Sequence, residues 1–388
     1  MKGKTFLVLL VAAAVLVGLA FFRFSDRRQA GDTNMGQKLF SDLPVNRVAR
    51  VTIADAENSV TLVKGDKTWE VQERSGYPAD FGQLRDVVVK LSRLKIGRSF
   101  TGSDESLLRL SLLDPSAAAE KGRGTRLTLE DSSGEVLAEV ILGQTRQTDD
   151  GGSGGQYLKK MDSDTVFLVD GSFRFLKTAP SDWLDDEILD IKADDVASVA
   201  CYAGSQADPV YTLTRPGKGE APQMAPVPSG RSVDTAKIEQ VFDALAPLTL
   251  DDVAAADEKN PKENGADVRK LVYRLYDGRQ ITLFPESDGN ENYRVRVTAE
   301  QIQGQTADTD AAGAESTAGG DDQSDKDSEA KAADVETEAE APQVKTAEQI
   351  NEDLRPWVFL IKKWQYDSLI TQPDALLENV EEKTDQAS

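Results

Sequence analysis

The chain has no histidine and a single cysteine, Cys201, among its 388 residues. The absence of histidine removes the commonest general base and the commonest metal ligand of proteins. One cysteine cannot form an internal disulfide, so the chain is unlike the small disulfide-stapled extracellular domains. Positive charge is also scarce, because 45 Lys and Arg face 67 Asp and Glu, a net charge of −22. Such acidity argues against binding nucleic acid, whose phosphates would be repelled, and against lying flat on an anionic membrane.

What the chain does have is one long apolar run at its N-terminus. Residues 6–22 contain no polar side chain, and basic residues flank the run at Lys2, Lys4 and Arg23. At about 1.5 Å rise per residue, these seventeen residues can just cross a bilayer core of about 30 Å. Residues 1–24 are therefore expected to form a transmembrane anchor.

The alternative is a cleaved signal peptide, with a small-residue site at Gly18-Leu19-Ala20. Bulky Phe21 and Phe22 follow that site directly, which favours retention of the helix. Basic residues at both ends leave the positive-inside count nearly even. We expect a single-pass protein of the inner (cytoplasmic) membrane, with the bulk of the chain periplasmic or otherwise outside the cytoplasm.

The body of the chain contains an internal repeat. Each half begins with two alternating β-branched segments and ends with hairpin signals, which predict antiparallel strands. Between them, Asp80 and Asp234 each precede an apolar stripe with identical helical spacing. The stripes consist of Leu84, Val87, Val88, Leu91 and Leu94 in the first half, and of Ile238, Val241, Phe242, Leu245 and Leu248 in the second. Two chance segments of similar composition are the alternative to a duplicated domain.

One stretch interrupts the second half. From residue 298 to residue 346 large apolar side chains are nearly absent and acidic residues dominate. Such a stretch buries too little surface to offset its ordering entropy, so we expect a disordered loop. This composition is compatible with a solvated loop without a partner, and also with an acidic segment that attracts a basic partner or cations.

These patterns predict an α+β protein. The N-terminal transmembrane helix (1–24) and a polar stalk (25–44) precede two repeated mixed α/β domains with antiparallel sheets. The first repeat covers 45–192. The second covers 193–371 and is interrupted by the disordered acidic loop 298–346. An acidic tail (372–388) closes the chain.

The motifs that would indicate a catalytic or nucleotide-binding site are incomplete or absent in this sequence. The run from Gly151 to Gly155 matches a nucleophile elbow, but acidic residues precede it and no histidine could deprotonate Ser153. No phosphate-binding loop ending in Gly-Lys-Ser/Thr is present, so the chain is not itself a transport ATPase. We predict no catalytic, cofactor-binding or metal-binding residues, and no cofactor.

The remaining polar and aromatic clusters are expected to be structural. Neither the acidic run 185–187 nor the pair 251–252 has the ligand spacing of a calcium loop, so both predict solvated faces. Cys201 occupies the position of Ile53 in the repeat, which predicts a small core residue. Core anchoring is expected of the four tryptophans, which are Trp69, Trp183, Trp357 and Trp364.

The arrangement resembles a bacterial family, the domain of unknown function 4340. The resemblance lies in the anchor followed by two β-rich repeats, in the strand Tyr157-Leu158-Lys159-Lys160 before residues 165–170, and above all in residues 167–183 and 185–191. It covers roughly residues 45–370 without the acidic loop, which departs from the usual pattern. The resemblance implies a genetic setting beside an ABC-2-type permease, an ATPase and a gliding-motility-like auxiliary protein, and it implies no catalytic residues.

On this basis the chain is expected to be a non-catalytic, membrane-anchored accessory protein of an ABC-type export system. Its expected partners are the membrane, the permease and the gliding-motility-like protein, and not nucleic acid. The alternatives are an envelope scaffold and a carboxylate-dependent envelope hydrolase, which would need two carboxylates about 5 to 10 Å apart in a cleft.

Overall fold

The structure is a computed structural model that describes residues 34–147, 153–204, 206–256, 269–289, 291–302 and 344–378. The predicted anchor and most of the predicted acidic loop lie outside these ranges. No helix within the described residues is long and apolar enough to cross a membrane. The chain divides into two compact units, residues 1–185 and 186–388, which we call the first and the second domain.

Among its described residues, the first domain contains one nine-stranded antiparallel sheet and two α-helices. Its strands are β1 (Val48–Ala54), β2 (Ser59–Lys64), β3 (Trp69–Val71), β4 (Tyr77–Pro78), β5 (Ile96–Thr101), β6 (Thr125–Asp131), β7 (Val136–Gln147), β8 (Ser153–Lys160) and β9 (Thr165–Val169). Its helices are α1 (Phe81–Arg93) and α2 (Asp104–Arg109). The order across the sheet is β4-β3-β2-β1-β6-β7-β8-β9-β5.

The part of the second domain that the structure describes contains an eight-stranded antiparallel sheet, a two-stranded sheet and three α-helices. Its strands are β10 (Glu187–Leu189), β11 (Val196–Ala203), β12 (Tyr211–Thr214), β13 (Gln223–Ala225), β14 (Leu248–Thr249), β15 (Asp252–Ala255), β16 (Arg269–Leu275), β17 (Arg279–Ser287), β18 (Tyr293–Gln301) and β19 (Trp357–Ile361). Its helices are α3 (Thr235–Phe242), α4 (Ala347–Leu354) and α5 (Lys363–Leu369). The large sheet has the order β13-β12-β11-β16-β17-β18-β19-β15, and β10 pairs with β14.

The two large sheets share one topology. Without β4, the first sheet reads in the same order as the second, with β3 matching β13 at one edge and β5 matching β15 at the other. Even an irregularity is shared, since the register shifts after Val48 where β1 meets β6 and after Val196 where β11 meets β16. Mixed α/β domains with antiparallel sheets were predicted, and this is the architecture observed.

Helices α1 and α3 begin directly after Asp80 and Asp234, as the sequence predicted. The Asp80 carboxylate accepts a hydrogen bond from the Gln83 N–H at 2.9 Å, and the Asp234 carboxylate accepts one from the Lys237 N–H at 3.2 Å. Both satisfy amide groups that a first helical turn leaves free. The apolar stripe of α1 is buried from Leu84 to Leu91. Helix α3 is shorter, because the chain passes through a 3-10 turn at Asp243–Leu245 before Pro247, which cannot continue a helix.

In each domain, a C-terminal segment forms a backbone hydrogen bond with the aspartate that caps the central helix. The Asp80 N–H donates to the Trp183 carbonyl at 2.9 Å, and the Asp234 N–H donates to the Leu376 carbonyl at 2.8 Å. Both carbonyls belong to short 3-10 turns, Pro180–Trp183 and Pro373–Leu376. The side chains of Trp183 and Leu376 are fully buried.

The second domain therefore extends further towards the C-terminus than predicted. The expected acidic tail began at residue 372, but the turn that ends in buried Leu376 and Leu377 belongs to the second domain. Charge counting missed it because Leu376 and Leu377 lie between acidic residues. The domain division also falls at Asp185, seven residues before the predicted end of the first repeat at 192.

The expected polar stalk is partly structured. Within its described part, the Leu39 N–H donates to the Leu94 carbonyl at 2.8 Å, and the Gly36 N–H donates to the Ile96 carbonyl at 2.7 Å. Leu39 is buried. Residues 36–39 therefore pair with the chain just after α1, as β10 pairs with β14 after α3.

The bounds of the acidic segment are narrower than predicted. Thr298 to Gln301 lie in β18, and Thr346 caps α4 by accepting from the Gln349 N–H. Both ends meet at one turn of the second sheet. The Ile302 N–H donates to the Gly278 carbonyl at 2.9 Å, and the Arg279 guanidinium donates to the Lys345 carbonyl at 2.9 Å.

Candidate functional site

An open cleft of about 390 Å³ lies in the second domain. It is formed around the 3-10 turn Ala193–Asp195, the end of β12, the following loop and helix α3. The residues that line it are Lys192, Ala193, Asp194, Arg215, Gly219, Glu220, Glu239, Asp243 and Ala246. We call it the Arg215 cleft, since this arginine is its one deeply buried charged side chain.

Arg215 is only 3% exposed. Its guanidinium donates to the Ala193 carbonyl at 2.8 Å and to the Asp194 carboxylate at 3.3 Å, and it forms a close ion pair with Glu239. The guanidinium carbon also lies 4.5 Å from the ring centre of Phe242, within the range of a cation–π contact. Burying a cation is costly unless it is paired and hydrogen-bonded, and these contacts meet that requirement.

The local sequence explains how these groups converge. Side chains alternate along a strand, so Arg215 continues the inward row of Tyr211 and Leu213 beyond the end of β12. On α3, Glu239 and Phe242 are three residues apart and share a face. The main chain of Arg215 is fixed as well: its N–H donates to the Ala197 carbonyl at 2.8 Å, and its carbonyl accepts from the Tyr276 hydroxyl at 2.7 Å.

The two carboxylates closest to the guanidinium are engaged with it. A hydrolase of the carboxylate type needs one carboxyl group that carries a proton for the leaving group. In the cleft, Asp194 and Glu239 are both ion-paired to the same guanidinium, so neither is a free carboxyl group. Among the described residues, no group of three or more Cys, Asp or Glu side chains is placed to hold a metal ion.

The first domain does not repeat this site. The position that matches Glu239, five residues after the capping aspartate, is held by Arg85, which is 65% exposed and lies 3.7 Å from Asp86. The position that matches Arg215, two residues after the buried leucine of the second strand, is held by Lys64, the exposed last residue of β2. The Arg215 cleft is therefore a feature that distinguishes the second domain from the first.

Sequence analysis did not select Arg215 or Glu239, yet a signal was present. Strand periodicity places Arg215 on the inward face, and an inward-facing arginine needs a partner. The sequence gives no local signal for the partner of Arg215, because Glu239 is 24 residues away, on a different element.

The glycine-rich run has a structural explanation at its described end. Ser153 is the first residue of β8. Gly155 has φ +97°, and a Cβ there would lie 2.0 Å from the Val169 carbonyl oxygen. Only glycine fits such an approach. Gly151 and Gly152 lie outside the described residues.

The acidic clusters lie on the surface, as predicted: the side chains of residues 185–187 and of Asp251 are exposed, and that of Asp252 is half-buried. The Asp185 N–H donates to the Pro78 carbonyl within the first domain, whereas the Asp186 carbonyl accepts from the Leu250 N–H within the second. Asp251 lies 3.6 Å from the Lys362 ammonium group, and the Asp252 carboxylate accepts from the Val253 N–H at 2.8 Å.

Cys201 is buried in the core of the second domain, as the repeat predicted. Burial raises the pKa of its thiol, despite an Arg269 N–H that points to the sulfur at 3.9 Å. Because the thiolate is the nucleophilic form, a buried thiol with a raised pKa is a poor nucleophile.

The four tryptophans differ in burial. Trp183 is fully buried and its indole donates to the Lys177 carbonyl at 3.0 Å, which confirms its predicted role. Trp69 and Trp357 are half-buried. The prediction for Trp364 was wrong: it is 64% exposed, because it lies on the outer face of α5, whose buried residues are Gln365 and Leu369.

Comparison with known protein families gives one match. The model of the family described as "Domain of unknown function (DUF4340)" matches residues 69–269, just over half of the chain. The chain belongs to this family. Searches of curated proteins and of solved structures gave no match.

The DUF4340 match does not follow the domain boundaries. It starts at Trp69, the first residue of β3, and stops at Arg269, the first residue of β16. It thus includes the Arg215 cleft but omits β1 and β2 of the first sheet and most of β16 to β19 of the second.

Proposed function

We propose that this DUF4340 protein is a non-catalytic accessory subunit of an ABC-type export system. A helix in residues 1–24 would hold it in the inner membrane, and its two domains would lie outside the cytoplasm. In this arrangement the helix packs against an ABC-2-type permease, and the domains contact the other components, including the gliding-motility-like auxiliary protein.

The observation that carries the proposal is the apolar run of residues 6–22 ahead of an acidic body. A run of this length is stable in hydrocarbon as a helix, because all its backbone groups can pair within it. The export role rests on the resemblance of the two repeats to a family expected beside permease and ATPase genes. Membership in DUF4340 supports that resemblance without assigning an activity.

The geometry of the cleft adds support for a binding role over a hydrolytic one. Its central carboxylates are occupied by Arg215, and its remaining acids, Glu220 and Asp243, are exposed. An isolated hydrolase would need a free carboxyl pair at a spacing of about 5 to 10 Å. An envelope scaffold stays the alternative, and it differs from our proposal in having no permease partner.

Affinity purification from membranes tests the proposal. The full chain, tagged at its C-terminus, is extracted in mild detergent and the bound proteins are quantified. We expect an ABC-2-type permease at a fixed ratio to the tagged chain. The control is a chain that starts at Asp32 and is delivered to the same compartment by a cleaved signal peptide.

The control should lose most of the permease, because the helix sets the local concentration of the domains beside it. Recovery of the full chain without any transporter subunit would contradict the proposal and favour a scaffold. Equal recovery of the permease by both chains would contradict the role of the helix alone.

A further inference from the structure

We draw no further inference here: the strongest candidate, the Arg215 cleft in the second domain, belongs to the site already described, and the one unpaired nitrogen of its arginine has no exposed surface through which a ligand could reach it.

Discussion

At the scale of single residues, Arg215 and its partners differ sharply in burial. The arginine side chain is 3% exposed, whereas Glu239 is 38% exposed and Asp194 is 75% exposed. Loss of an acidic partner leaves a buried cation short of a counter-charge, while loss of the arginine leaves two carboxylates that water can reach. Since uncompensated buried charge is the costlier outcome, the two losses should have unequal effects.

We predict that Glu239→Ala lowers the free energy of unfolding of the second domain by about 2 kcal/mol. Arg215→Met keeps the apolar stem and the contact with Phe242, and should cost about 1 kcal/mol or less. Urea unfolding followed by tryptophan fluorescence measures both.

The matched control is Arg85→Ala, at the position of the first domain that corresponds to Glu239. Its exposed pair with Asp86 should contribute less than about 0.5 kcal/mol. If Arg215→Met proved more destabilising than Glu239→Ala, our prediction would be wrong, because the two carboxylates without the arginine would then cost more free energy than the buried guanidinium without Glu239.

At the scale of elements, the acidic segment leaves and re-enters the second domain at one place. The β16–β17 turn holds Ile302 through the Gly278 carbonyl and holds Lys345 through the Arg279 guanidinium. Beyond this turn, the Asn351 side chain donates to the Ala299 carbonyl at 2.6 Å and accepts from its N–H at 2.8 Å. Helix α4 thereby satisfies the backbone groups of Ala299, in the part of β18 that lies beyond its pairing with β19.

We predict that replacing residues 303–343 by a short Gly-Ser linker changes the melting temperature of the second domain by less than about 2 °C. Closure entropy depends only weakly on loop length, and both ends are already held together. Differential scanning calorimetry measures it.

The control is a deletion of residues 298–346, the bounds that composition alone suggested. It removes the end of β18 and the Thr346 cap of α4 and should lower the melting temperature by several degrees. Equal losses in the two deletions would mean that the acidic segment is part of the folded domain.

Most of the elements could be read from the sequence, and the reasons are local. Strand alternation and the caps at Asp80 and Asp234 depend on a residue's nearest neighbours, so they predicted most strands and the starts of helices α1 and α3. What could not be read depends on distant partners. The stalk residue Leu39 is buried because it pairs with Leu94, and Leu376 is buried because it closes on Asp234. The Arg215–Glu239 pair is of the same kind.

At the scale of the whole molecule, the folding units and the family segment differ. Each domain has a complete sheet and its own closing turn, within residues 34–185 and 186–378. The DUF4340 segment, residues 69–269, lacks the central strand β1 of the first sheet and nearly all of the strand β16 that pairs with β11 in the second.

We predict that residues 34–185 and residues 186–378 each fold when expressed alone. Residues 69–269 should not fold, because β6 would lose its partner β1, and β11 would lose its partner β16, which would expose apolar side chains. Dispersion of amide signals in two-dimensional NMR spectra distinguishes these outcomes. A well-dispersed spectrum of residues 69–269 would show that the family segment is an independent folding unit.

The central claim is that residues 1–24 hold the molecule in a membrane, and salt extraction of membranes tests it most directly. Membranes that contain the full chain are washed with 1 M salt, at which the screening length is about 3 Å, and then pelleted. Our account predicts that the full chain stays in the pellet, since burial of an apolar helix is insensitive to screening, and that a chain starting at Asp32 is found in the supernatant. Release of the full chain by salt would contradict the account.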